Sequence, residues 1–145
     1  KFRSASPCLK LQTITLIVVV NYKKMFNIFK SHTLYIRVHK TKIEIRNINT
    51  GKESIIIPVK TYSNSRLIIA DFLVAEEYLR QATKEVCTNN FFKILFQPVD
   101  ENIKDYSPVE TRSFLDSSEH AGAKTVAIDL TQKKLSDQEI IQIIN

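Results

Sequence analysis

Glycine is nearly absent from this sequence: of 145 residues, only Gly51 and Gly122 are glycine. A G-x-G-x-x-G loop or a G-x-x-x-x-G-K-[ST] loop needs several glycines close together, so that backbone N–H groups can crowd a phosphate. Both common nucleotide-binding loops are therefore excluded from these residues. Cysteine is scarce too. Cys8 and Cys87 stand far apart in unlike contexts, which makes neither a disulfide framework nor a zinc site and fits reduced thiols in a cytoplasmic protein. Long apolar runs are missing. The longest, Leu16-Ile17-Val18-Val19-Val20, falls far short of the ~20 residues of a membrane span and is not followed by the small-residue cleavage site of a signal peptide. It reads as a buried strand. Methionine occurs once, at Met25, and the first residue is Lys1. This predicts an appendage over residues 1–24 and one domain over 25–145.

What is present suits a globular domain with one core: 43% hydrophobic and 25% charged residues. The net charge of +6 is unevenly spread. Residues 1–66 hold 13 Lys+Arg against 2 Asp+Glu, a local +11, and residues 67–145 hold 8 against 13, a local −5. Such polarity suits a basic face for nucleic acid or acidic lipid. Solvated outer faces of strands give the same pattern and are the commoner cause.

The basic half is strand-like. Thr33 to Val38 is β-branched and aromatic, and His39-Lys40-Thr41-Lys42 is a polar turn. Ile43 to Ile48 then alternates apolar and polar with period two. Asn49-Thr50-Gly51-Lys52 places glycine where a turn needs positive φ, and Ser54 to Val59 reads as a third strand. Connections this short permit only antiparallel pairing. Beyond Arg66 the period changes. Asp71 can cap a helix through about Val86, with Val74, Ala75, Tyr78, Leu79, Ala82 and Val86 on one stripe. Phe91 to Phe96 is a short apolar run fit for a strand buried on both faces. Ser107-Pro108-Val109-Glu110 and Ser136-Asp137-Gln138-Glu139 are capping boxes, the first with proline at the first helical position, the second with Leu135 and Ile140 spaced for a hydrophobic staple. Gly122 can close the first of these helices, and Thr125 to Leu130 supplies a strand between them.

The resulting order is β-β-β-α-β-α-β-α. Right-handed crossovers make the fourth and fifth strands parallel within one mixed sheet. The predicted fold class is α/β: a ribonuclease H-like, actin-like subdomain with a mixed five-stranded sheet, three antiparallel strands followed by two parallel ones.

Three stretches resemble one family with that fold. Leu67-Ile68-Ile69-Ala70-Asp71-Phe72-Leu73-Val74-Ala75-Glu76-Glu77-Tyr78-Leu79-Arg80 is similar to the GVIADFDVAEEMLRY region of MreB, the bacterial actin homologue that organises rod shape. Val109 to Phe114 and Ala121 to Val126 resemble its VEKRAV and AGAREV segments, and Met25 to Phe29 resembles its N-terminus. The likeness spans about Met25 to Leu130. It implies a role in cell-shape determination at the inner face of the membrane. It also implies a nucleotide site, and there the sequence departs from the family. Where the family's first hairpin opens with Asp-Leu-Gly-Thr, this sequence has Ile36-Arg37-Val38-His39-Lys40-Thr41, without Asp or Gly. The segment before Asp71 is too short for the family's small second subdomain, and Thr131 to Asn145 replaces its EEPMAAAIG helix. Glu110 matches a glutamate that the resemblance implies helps position the attacking water. The same residue is the third position of a capping box, and capping is the reading preferred here.

Other chemistry has weaker signals. A two-metal nuclease on such a sheet needs a carboxylate on the first strand, and the sequence offers Arg37 and His39 there instead. His32, His39 and His120 have no partners at metal-ligand spacing. Ser117, Glu119 and His120 hold triad letters without a nucleophile elbow. Arg37, Lys40, Lys42, Arg46 and Lys52 form a basic set without an RNA-binding signature. Met25, Phe26, Ile28 and Phe29, set among Lys23, Lys24 and Lys30, suit an interfacial membrane contact.

The sequence thus predicts a non-catalytic MreB-like scaffold or interaction protein. No enzyme activity, catalytic residue, metal or cofactor is expected. Its partners would be proteins, full-length MreB or envelope-elongation proteins, with the peripheral inner-membrane contact above and a cytoplasmic location. The alternative is a basic nucleic-acid-binding module on the same fold, and nucleic acid is the disfavoured partner.

Overall fold

A computed structural model describes residues 31–145 of the chain. The Leu16–Val20 run, Cys8, the appendage over 1–24 and the four candidate membrane residues lie outside the described residues.

Strand β1 (His32–Val38) turns through His39–Lys42 into β2 (Ile43–Asn47), closed by the His39 N–H donating to the Lys42 carbonyl at 2.9 Å. In β2 the alternation works as period two requires: Ile43, Ile45 and Asn47 are buried on one face, while Glu44 and Arg46 are half-buried on the other. Gly51, at φ +77, makes the next turn into β3 (Glu53–Ile56). This strand stops short of the expected Val59. Pro58 has no N–H to give a ladder, and the chain beyond Ile56 leaves the sheet as an irregular connection.

That connection is held down by Tyr62. Its fully buried hydroxyl donates to the His39 and Lys42 carbonyls, tying it to the first hairpin, and burial makes it harder to ionise than an ordinary tyrosine. Helix α1 (Phe72–Val86) follows, with Asp71 accepting from the Val74 N–H. Strand β4 (Phe92–Pro98) is largely buried on both faces and runs two residues beyond Phe96. Helix α2 (Pro108–His120) starts with a complete capping box. It ends at Gly122, whose φ of +114 suits only glycine and whose missing Cβ leaves room for the Phe92 ring. Strand β5 (Thr125–Ile128) and helix α3 (Asp137–Ile144), again with a complete capping box, finish the fold.

The sheet order is β3-β2-β1-β4-β5. β1 is antiparallel to β2 and β2 to β3, whereas β4 lies parallel to β1 and β5 parallel to β4. This is the ribonuclease H-like, actin-like arrangement that the element order predicts. Helices α1 and α2 cover one face, against Leu34, Ile36, Ile43, Ile94 and Phe96, with the Phe96 and Phe114 rings stacked at 4.9 Å. The other face carries a smaller cluster of Tyr35, Leu95, Ile140 and Ile144 beneath α3, joined by Leu135 and Ala127. Leu135 and Ile140 thus meet as a staple.

Candidate functional site

In open α/β sheets, ligands gather at the carboxyl ends of parallel strands. Here β1, β4 and β5 end side by side, and on the α3 face three polar residues close them: Arg37, Gln97 and Asp129. Each interrupts an apolar run, since β-sheet alternation brings a side chain to this face at every second position.

Gln97 is at the centre and completely buried. Its Oε1 accepts from the Tyr35 hydroxyl at 2.6 Å and from Arg37 Nε at 2.8 Å. Its Nε2 donates to Asp129 Oδ2 at 2.6 Å and to the Lys133 carbonyl at 2.7 Å. The orientation of the amide follows from its neighbours: a guanidinium can only donate and a carboxylate can only accept. Arg37 also reaches Glu44 Oε2 at 3.4 Å and the Gln132 carbonyl at 3.1 Å. Thr131 donates to Asp129 Oδ2 at 2.7 Å, and the Leu135 N–H donates to the Tyr35 oxygen at 3.2 Å.

The first hairpin lies at the same end. Glu44 Oε2 is 2.6 Å from His39 Nε2, and Lys42 Nζ is 3.5 Å from Oε1. Burial opposes ionisation of Glu44, but the hydrogen bond and charge of His39, with Lys42 and Arg37, outweigh it and hold the carboxyl below its usual range. Lys40 pairs with Asp100 at 2.7 Å, and this bond is the main reason Asp100 also ionises more readily than usual. Burial pushes Tyr35 upward and Tyr106 up to about 12. Tyr106 is also one of the buried groups whose hydroxyl has no partner.

The polar end of the sheet is thus filled by the chain's own donors and acceptors. Where an actin-like phosphate loop would present glycine and free amides, the hairpin carries four bulky polar residues. Its His39, Lys40 and Lys42 carbonyls take up Tyr62 and Ser63. Among the described residues no group of three or more His, Cys, Asp or Glu could hold a metal ion. A concavity of about 170 Å³ adjoins this polar cluster, lined by its Tyr35, Arg37 and Glu44 together with residues of β2, β3 and the start of α3. Its Arg46 already pairs with Glu53 and Asp137.

The sequence-predicted residues fall as follows. Glu110 accepts from the Ser107 N–H at 2.9 Å while Ser107 Oγ accepts from the Glu110 N–H at 3.2 Å, so its side chain is engaged in the cap. The histidines are not isolated, as sequence alone suggests. His39 faces Glu44, His120 faces Glu76 at 3.0 Å, and His32 meets Asn47 at 2.9 Å. Of the basic set, Arg37, Lys40, Lys42 and Arg46 are all paired with carboxylates, and Lys52 sits on the exposed Gly51 turn. Cys87 is a buried free thiol whose ionisation burial suppresses. No helix of the described residues is long and apolar enough to cross a membrane. Sequence reading did not single out Gln97, Asp129 or Gln132. The available signal was a lone polar residue closing the apolar runs Phe91–Phe96 and Thr125–Ile128.

No family model matches the chain, and no curated protein matches it. Among solved structures it is similar to the ethanolamine utilization protein EutJ from Carboxydothermus hydrogenoformans, at 9% identity and a TM-score of 0.46. That likeness covers 69% of this chain and 37% of EutJ, so the chain spans well under half of that protein. Strand order and direction, rather than this likeness, carry the fold assignment.

Proposed function

We propose that this chain is a non-catalytic actin-like module that works through its surface, as a scaffold or interaction partner in bacterial cell-shape determination. The observation that supports the non-catalytic reading is the satisfied Arg37–Gln97–Asp129 cluster. An actin-like ATPase keeps this end of the sheet open to phosphate, whereas here it is closed by side chains and by the backbone of residues 132–135. Titration calorimetry with Mg-ATP tests this directly. No binding heat is expected at millimolar nucleotide, and micromolar affinity would sink the reading.

The cell-shape role rests on the resemblance of residues 67–80 and 109–126 to MreB. Its partners would be full-length MreB or envelope-elongation proteins, and their co-purification with the tagged chain is the expected result. Peripheral contact with the inner membrane would come from Met25, Phe26, Ile28 and Phe29. Flotation with anionic vesicles, lost on Phe26→Ala/Phe29→Ala, is its test. Nucleic-acid binding is the competing function, and the pairing of Arg37, Lys40, Lys42 and Arg46 with carboxylates weighs against it. Salt-sensitive retention on a nucleic-acid column would favour it instead.

A further inference from the structure

We propose that residues 131–135 form a latched strap, with Gln132 as the latch, that opens locally from the carboxyl end of the sheet while the rest of the domain stays folded. This step goes beyond the scaffold reading and does not depend on it.

The strap follows β5 and precedes α3 without regular structure of its own. It is attached by polar contacts. The Gln132 carbonyl takes Arg37 Nη2, the Lys133 carbonyl takes Gln97 Nε2, and the Leu135 N–H gives to Tyr35. Thr131, Lys133 and Lys134 are exposed, and Leu135 alone among the five packs on the apolar cluster beneath α3, so apolar contact holds the strap only at its α3 end.

Gln132 is the only non-glycine residue with positive φ among the described residues, at +64. An L-residue in that region is disfavoured relative to ordinary backbone, so the conformation persists only because its surroundings impose it. The side chain shows how. Its Oε1 accepts from the Asp100 N–H at 2.9 Å and its Nε2 donates to the Ile103 carbonyl at 2.8 Å. One amide therefore clips the strap to the loop after β4. Release of the clip also releases the backbone strain, so the latch and the strain act in opposite directions on one residue.

Opening leaves the sheet end intact. Arg37 keeps Gln97 and Glu44, and Gln97 keeps Tyr35 and Asp129. What becomes accessible is a donor from Arg37, a donor from Gln97 and the Tyr35 hydroxyl, each of which the strap backbone occupies when closed.

Amide hydrogen exchange on the full chain tests this. The informative probe is the Leu135 amide, three residues from the latch and bonded to Tyr35 rather than to Gln132. The Asp129 amide, bonded to Phe96, and the Val99 amide, bonded to Val38, report the sheet. Gln132→Ala removes both side-chain bonds and keeps the strain, and should speed Leu135 exchange about tenfold. Asp129 and Val99 should stay unchanged. Gln132→Gly removes the same bonds but relieves the strain, so its acceleration should be smaller than that of Gln132→Ala. Trypsin cleavage after Lys133 or Lys134 should follow the same order. Two results would overturn the latch: Leu135 exchange within threefold of wild type in Gln132→Ala, or Asp129 and Val99 accelerating as much as Leu135.

Discussion

An amide side chain offers two donors and two acceptor positions, and Gln97 uses all four inside a site that water does not reach. Replacement by leucine keeps the volume and orphans several groups at once. Arg37 Nε and the Lys133 carbonyl lose their partners, and the Tyr35 hydroxyl loses its acceptor. Each buried orphan costs about 1–3 kcal/mol, so Gln97→Leu should lower unfolding free energy by roughly 3 kcal/mol, read from urea midpoints at unchanged slope. A loss under 1 kcal/mol would mean the network contributes shape and little stability. Glu44 sets a different dependence, on pH. Its folded carboxyl ionises more readily than in the unfolded chain, so its contribution is present above the ordinary glutamate value of about 4.3 and fades as pH falls through and below it. Glu44→Gln should therefore lose stability at neutral pH and show a shallower acid limb, and identical acid limbs would contradict the pairing. None of this was legible in the sequence. Tyr35 and Gln97 are 62 positions apart, and Arg37 and Gln132 are 95 apart. A single polar letter in an apolar run says that a partner exists and not which residue it is.

Helices and strands were far more readable, because what specifies them is local. Asp71, Ser107 and Ser136 announce their helices through bonds to amides three residues on, and the period-two alternation of Ile43 to Asn47 carries its own face assignment. Errors fell at the ends. β3 stops at Ile56 and β5 at Ile128, both earlier than hydrophobicity suggests, while β4 continues to Pro98 because β1 extends opposite it to Val38. Strand length is decided by the neighbour, which a linear pattern does not contain. The two glycines separate two effects at this scale. Gly51 has φ +77 and open space where a Cβ would go, whereas Gly122 has φ +114 and Phe92 Cζ 3.3 Å from that position. Gly51→Ala should cost about 1 kcal/mol, from conformation alone. Gly122→Ala carries the conformational cost and the push on Phe92, and should lower the melting temperature further. Equal losses would mean that the ring yields freely.

At the scale of the described domain, two ion pairs join the basic half of the sequence to the acidic half. Lys40 of the basic half meets Asp100, and Arg46 meets Asp137 across 91 positions. The two faces of the sheet are unequal in a way that matters more. Among the described residues, one is covered by α1 and α2 over a continuous core from Leu34 to Phe114, and the other by α3 through Ile140 and Ile144. A chain ended after Leu135 would keep the larger layer and the whole β3-β2-β1-β4-β5 sheet, but would bare Tyr35, Leu95 and Ala127. Burying a single large aliphatic side chain is worth about 1.5–3 kcal/mol, and domains of this size have only about 5–15 kcal/mol in total. Loss of Ile140 and Ile144 together removes a large share of that margin. The truncated chain should therefore retain much of its far-ultraviolet dichroism, bind the dye ANS, and melt with a broader transition than the full chain, as compact states with loosened packing do. A truncated protein that melts as sharply as the full chain and ignores the dye would show that α3 is an accessory to a sheet already stable on one layer of helices.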